Sequence, residues 1–304
     1  MSEINVNQQA EQVAPAAAAP KKKVRIGFVF LSFVPIAALM GIQTLTQSPF
    51  LVLSGLEVAD NGLPSDYVDY SDQLLKVFNA KYAVYCYLLY AVVGITAFSL
   101  WYYFGFVKKN PKVKLKEVFG VKSVLATVGM VIGLQYFITA AFVLAYALVP
   151  DVINNYMKLM ESSGLVGNPL VTILYAIVLG PILEELCFRG VTFGFLEKSG
   201  VKPFLNILIT GLLFGIMHMN LVQGIYASVL GFFLGYMRYK YRSLKITVVL
   251  HILFNFMGTY GEQLMDKLSL SDGAKLIIGG IAVCVLAFSV VLVHGDPKAY
   301  KEPA

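Results

Sequence analysis

Glu184 and Glu185 stand side by side in a stretch otherwise apolar enough to cross a membrane, and Arg189 follows four residues later. A charged group at mid-bilayer costs about 2.5–3.5 kcal/mol, so three unpaired ones set an upper bound of roughly 7–10 kcal/mol. Ionisable groups retained at such a cost are candidates for function. Two more polar sets lie in apolar runs, Phe214-Gly-Ile-Met-His218 and His251-Ile-Leu-Phe-Asn255. The chain has only three histidines, and two of them are in these sets. Together they offer a carboxylate, a histidine and a His/Asn pair on three separate segments. Hydrolytic chemistry needs that set: a base to activate water, a partner to hold it, and donors for the tetrahedral oxygen.

The spacing assigns faces. Glu185 and Arg189 are an i, i+4 pair and can meet on one side of a helix, which offsets much of the cost of both. By itself that pair reads equally well as an ion-pair staple between helices. Adjacent helical residues point about 100° apart, so Glu184 looks elsewhere, toward the side of Cys187 and Phe188, without a sequence-local partner. That leaves it free to act as a general base. Gly180-Pro181 predicts a break in the span, with the glutamates in the first turn of a new half-helix at its positive dipole end. A lone His218 on an apolar helix is more often a packing residue than a functional one. His251 and Asn255 share a face and can bond a neighbouring helix or present two donors to an oxyanion. Glu184 with His218 and His251 is also a ligand set for catalytic zinc. Spacing leaves both chemistries open. The sequence has no His-Glu-x-x-His helix, and no Ser–His or Asp–Asp arrangement of the intramembrane kind is evident.

These residues must be positioned by membrane helices. Of 304 residues 58% are hydrophobic and 14% charged, against roughly 25% charged in soluble domains; the mean hydropathy is +0.71. Windows of about 20 apolar residues predict an all-α, polytopic bundle of about eight transmembrane helices, roughly Ile26–Leu53, Tyr82–Phe106, Ser123–Val149, Leu170–Leu196, Phe204–Val222, Ile225–Met237, Ile246–Leu264 and Ala274–Val293. Loops rich in Lys and Arg, such as Val107–Lys122 and Arg238–Lys245, alternate with neutral or acidic ones, such as Leu56–Lys81 and Pro150–Pro169. The positive-inside rule then puts both termini in the cytoplasm. It also accounts for the net charge of +6 without nucleic acid. An interfacial helix fits Tyr67–Phe78. The three cysteines are widely spaced in apolar runs and read as packing residues.

The expected organisation is a disordered cytoplasmic tail over 1–25, N-terminal membrane helices over 26–169, a catalytic core over 170–264, and a last span with a cytoplasmic tail over 265–304. Straight helices at 1.5 Å per residue predict His251 near the cytoplasmic end of its span and His218 near the outer end of its own, far apart in depth.

In this order the three sets resemble the motifs of the CPBP family, the CAAX proteases and bacteriocin-processing enzymes also called Abi. The resemblance covers about Leu170–Phe256. It implies an intramembrane endopeptidase cutting a prenyl-peptide-like or other membrane-associated substrate, embedded in membrane lipids. It implies Glu184 as the base, His218 helping it hold the attacking water, and His251 and Asn255 as the oxyanion site. Glu185, Arg189 and Phe214 would support the site. A glutamate mechanism without a cofactor is favoured; the metalloprotease alternative would place zinc on Glu184, His218 and His251. A non-catalytic immunity or binding protein that keeps the motif helices is the competing reading. A transporter is a third, but such folds show inverted repeats and none is visible.

Overall fold

The structure, a computed structural model, describes residues 23–63, 66–109, 113–162, 169–261 and 267–300. The polar, Ala/Pro-rich tail expected at the N-terminus lies outside these up to residue 22. The described residues contain helices and no strand. In chain order they are α1 (Ile26–Asp60), α2 (Tyr67–Val107), α3 (Leu115–Val118), α4 (Val121–Leu148), α5 (Pro150–Ser162), α6 (residues 169–199), α7 (Pro203–Ile216), α8 (Leu221–Tyr241), α9 (Leu244–Gly261) and α10 (Asp272–His294).

Local chemistry sets several boundaries. Asp66 caps α2 by accepting from the Asp69 amide at 2.9 Å, and Asn220 caps α8 through the Gln223 amide at 3.1 Å. Pro203 opens α7, where its missing N–H costs nothing. Gly200 closes α6 at φ +82°, a left-handed conformation that suits glycine. The helix expected at 67–78 forms, but it runs on without a break into the long helix α2.

Five helices among the described residues are long and apolar enough to cross a membrane: α1, α2, α4, α9 and α10. Bulky apolar side chains such as Leu45, Phe288 and Val291 point outward from them. The chain is therefore an integral membrane protein, an all-α polytopic bundle. The other expected spans differ in kind. Helices α6 and α8 carry Glu184, Glu185 and Arg189, or Arg238 and Lys240. Helix α7 has fourteen residues, about 21 Å, which is short of the roughly 30 Å hydrocarbon core.

Helices α7 and α8 form an antiparallel hairpin brought close by small residues. A Cβ on Gly231 would meet the Gly211 Cα at 2.8 Å, and one on Gly235 would meet Ile207 at 3.3 Å. Lipid supplies little force to press helices together, so close backbone approach through small residues does that work. The Gly231→Leu variant is expected to lose about 1–3 kcal/mol through overpacking. Thermal unfolding in detergent would measure it against Gly280→Leu, whose added Cβ has nothing within 4 Å. Equal stabilities for the two variants would refute the packing account.

One end of the bundle is stapled by polar contacts between chain segments. The Arg25 amide donates to Ser199 O at 2.8 Å, and Lys198 Nζ to Gly105 O at 2.8 Å. Arg242 pairs with Glu197, and Lys245 Nζ donates to Val113 O at 2.8 Å. Tyr241 Oη donates to Asp296 at 2.9 Å, and Lys298 Nζ to Phe119 O at 2.7 Å.

Candidate active site

Helix α6 carries both glutamates, and its path differs from the expected break. Thr172–Leu179 and Leu186–Thr192 are wide π turns, with an α-helical stretch Gly180–Glu185 between them. Pro181 is absorbed because the π pattern preceding it shifts the hydrogen-bond register, so the helix bulges without restarting. Gly180 is needed there, since a Cβ would meet Tyr175 O at 3.0 Å. The glutamates accordingly lie at the end of the α-helical stretch, and no new positive helix end faces them.

Glu185 and Arg189 pair at 3.0 Å, and both side chains are fully buried. Arg189 Nη2 also donates to Gly231 O at 2.9 Å, reaching α8 where the α7/α8 glycines bring the backbone close. Its guanidinium lies 4.6 Å from the centre of the Phe214 ring. Glu185 Oε1 has a second partner, His251 Nδ1 at 3.1 Å. A carboxylate only accepts, so His251 carries a hydrogen on Nδ1.

Glu184 is different. Its side chain is 30% exposed, and its Oε2 lies 3.6 Å from His251 Nε2, too long for a direct hydrogen bond. His218 Nδ1 lies 2.9 Å from Phe214 O. The carbonyl can only accept, so the His218 hydrogen sits on Nδ1 and Nε2 keeps its lone pair. Asn255 Nδ2 donates to Ala176 O at 2.8 Å, which orients the amide and leaves its second hydrogen.

The depth mismatch expected between the two histidines is absent. The Phe214 ring packs edge-on against both, with centroids 5.0 Å from His218 and 5.5 Å from His251. The short α7 explains this. His218 follows a helix of fourteen residues, about 21 Å long, rather than the longer continuous span expected over Phe204–Val222. Phe188 meets the same ring at 5.2 Å. Phe214, 1% exposed, is thus the hub on which four site residues rest.

A cavity of about 1330 Å³ is bordered by Glu184, His218, His251 and Asn255. Glu185 and Arg189 do not line it. Two residues beside Glu184 escaped the sequence reading, Tyr90 and Tyr175, which also border the cavity. Their rings lie 6.2 Å apart, and Tyr175 stacks on Tyr87 at 4.7 Å. Nothing in their spacing distinguishes them from aromatic packing in an apolar run.

The zinc alternative can be tested on the donor set. Among the described residues no three His, Cys, Asp or Glu side chains converge in a way that could hold a metal ion. The Phe214 ring packs against both His218 and His251, and each imidazole is anchored through Nδ1, to Phe214 O and to Glu185. Glu184, His218 and His251 do not form such a group in this arrangement.

Residues 166–257 match the family model described as type II CAAX prenyl endopeptidase Rce1-like. Over 123 residues, 37% of this chain, the sequence is 34% identical to the Bacillus subtilis "Putative membrane peptidase YdiL". The match covers 47% of that protein, so the chain spans about half the length of this curated relative. No solved structure matches. Residues 166–257, which carry all three polar sets, are the part of the chain that resembles this family.

Proposed function

We propose that this protein is an intramembrane endopeptidase that hydrolyses peptide bonds of membrane-associated substrates with a glutamate-activated water. One observation carries the reading: of two adjacent glutamates, Glu185 is taken up by Arg189 and His251 while Glu184 borders the cavity. That is the division between a group that holds a site together and one that faces a substrate.

The chemistry follows from donor and acceptor roles. A water can donate one hydrogen to the Glu184 carboxylate and the other to His218 Nε2, which turns its oxygen lone pair toward the scissile carbonyl. Attack forms the C–O bond as Glu184 takes the proton. The negative oxygen of the tetrahedral intermediate is met by the second hydrogen of Asn255 Nδ2 and by His251. His251 can donate from Nε2 only as the imidazolium, because its other hydrogen is committed to Glu185. Collapse breaks the C–N bond, and Glu184 returns its proton to the leaving amine. The Phe214 ring, with Arg189 against its face, keeps both imidazoles in place.

The substrate reading rests on cavity size and lining. At about 1330 Å³ the space exceeds the 300–1,000 Å³ typical of small-ligand pockets. Its walls are largely aromatic and aliphatic, which suits an extended apolar peptide or a prenyl-peptide-like chain. Both termini are cytoplasmic in this reading, and no metal or other cofactor takes part.

The test is purified protein in liposomes with a panel of quenched apolar peptides, assayed with a zinc chelator and with added zinc. Turnover unchanged by either addition is the expected result. Loss with chelator and recovery with zinc would overturn the metal-free assignment. No cleavage across the panel, with binding retained, would favour the non-catalytic reading.

A further inference from the structure

The cavity and the stapled end of the bundle lie at opposite poles. The lining draws on the last turns of α4 (Phe142 to Tyr146), on α5, on the start of α6 (Pro169), on Met257–Gly261 of α9, and on Asp272 and Lys275 at the start of α10. Among the described residues it takes nothing from 105–109, 113–120, 197–203, 238–245 or 295–300, the segments that hold the polar staples. Helices α7 and α8 follow the same rule: His218, at the far tip of their hairpin, lines the cavity, whereas Pro203 and Tyr241 at its base do not. The cavity therefore reaches one face of the bundle and is closed toward the other.

Charge tells the two faces apart. The stapled face carries Lys108, Lys114, Lys116, Lys122, Lys198 and Lys202, with the Arg238–Lys245 cluster, against few acids. The cavity face carries Glu57, Asp60, Asp66, Asp69, Asp72, Asp151, Glu161 and Asp272 against Lys76, Lys81, Lys158, Lys267 and Lys275. Short loops rich in Lys and Arg stay on the cytoplasmic side. We infer that the cavity admits its substrate from the extracytoplasmic side, so that the peptide it takes is an apolar segment presented at the outer leaflet.

The mouth fits such a segment. Tyr146 and Met157 are both more than half exposed there, at 54% and 51%. Further in, Met160, Met217 and Met257 add flexible thioether side chains that adapt to varied apolar sequences. The substrate class rests on the hydrolytic reading given above. The side of access rests only on the cavity walls and the loop charges.

Site-directed labelling separates the two. In a Cys284→Ser background, which removes the exposed cysteine and leaves the buried Cys86 and Cys187, single variants Met157→Cys and Lys275→Cys report on the mouth. Lys116→Cys and Lys202→Cys report on the basic face. With a membrane-impermeant maleimide, intact cells are expected to label the first two, and the last two only after permeabilisation. The reverse pattern, or mouth labelling only after permeabilisation, would overturn the inference. Peptide cleavage is then compared in right-side-out and inside-out vesicles and is expected only in the first. Cleavage confined to inside-out vesicles would sink the inference and keep the hydrolase. The expected labelling with no cleavage in either would keep the access side and remove the hydrolase.

Discussion

The Glu184→Gln variant is expected to lose cleavage by about two to four orders of magnitude, the range of a positioned general base. That corresponds to roughly 3–5 kcal/mol of barrier at about 1.4 kcal/mol per tenfold. Folding is expected to be unaffected. Glutamine has nearly the shape of glutamate, and Glu184 is neither fully buried nor in a direct ion pair within hydrogen-bond distance. The amide cannot take the proton from water, and its NH₂ would offer a hydrogen where His218 and the water need an acceptor. The informative comparison is Glu184→Gln against Glu184→Asp. Aspartate keeps the base but withdraws it by one methylene, so it should retain more activity than glutamine at equal stability. Turnover of a quenched peptide and thermal unfolding, measured on both variants, check this. Cleavage by Glu184→Gln at the parent rate would remove Glu184 from the chemistry. Loss of folding in both variants would recast Glu184 as part of the structural cluster.

Much of the site was legible in the sequence because some of its geometry is local. The Glu185–Arg189 pair is an i, i+4 contact, and its 3.0 Å separation follows from helical spacing that even the π turns do not spoil. The separation of Glu184 from Glu185 is equally local, since neighbours on a helix cannot share a face. Long-range partners were not legible. Nothing in the spacing of His251 and Asn255 announces that one imidazole nitrogen would serve Glu185 or that Asn255 would bond Ala176. Those contacts depend on how α6 and α9 lie against each other. The depth of His218 was misjudged for a related reason. Hydropathy runs continuously from Phe204 to Val222, because the turn that ends α7 is built from residues such as Met217 and Met219, and Met219 takes a left-handed φ of +53°. A turn of four residues, two of them methionine, is averaged away in a window of about 20 residues. The membrane character of the chain was plain from composition, whereas the count of crossings was not. Charged α6 and the fourteen-residue α7 are positioned by packing rather than by apolar length.

The buried Glu185–Arg189 pair is expected to behave in the opposite way to Glu184. Arg189→Met leaves a fully buried carboxylate with only His251 and Thr247 beside it, neither a permanent cation, and Glu185→Leu leaves a fully buried guanidinium held by one carbonyl and two aromatic faces. Each single change should cost about 3–5 kcal/mol, since breaking a buried pair strands a charge. The double variant Glu185→Leu/Arg189→Met should be much less destabilised than the sum of the two, because replacing both partners with apolar groups of similar volume removes the stranded charge. Unfolding in detergent of the parent, the singles and the double measures the coupling directly, and additive losses would show that the pair contributes no mutual stabilisation. Activity should not follow stability back. The double variant lacks the carboxylate that holds His251 Nδ1, and Phe214 loses the guanidinium against its face, so the imidazole loses the partner that sets its orientation. A double variant that is stable and inactive, beside a Glu184→Gln protein that is also stable and inactive, would separate two ways of disabling one site. The first removes what aligns His251, and a fall in kcat with KM little changed would mark it as positioning. The second removes the proton acceptor itself, and no repacking behind it restores the rate.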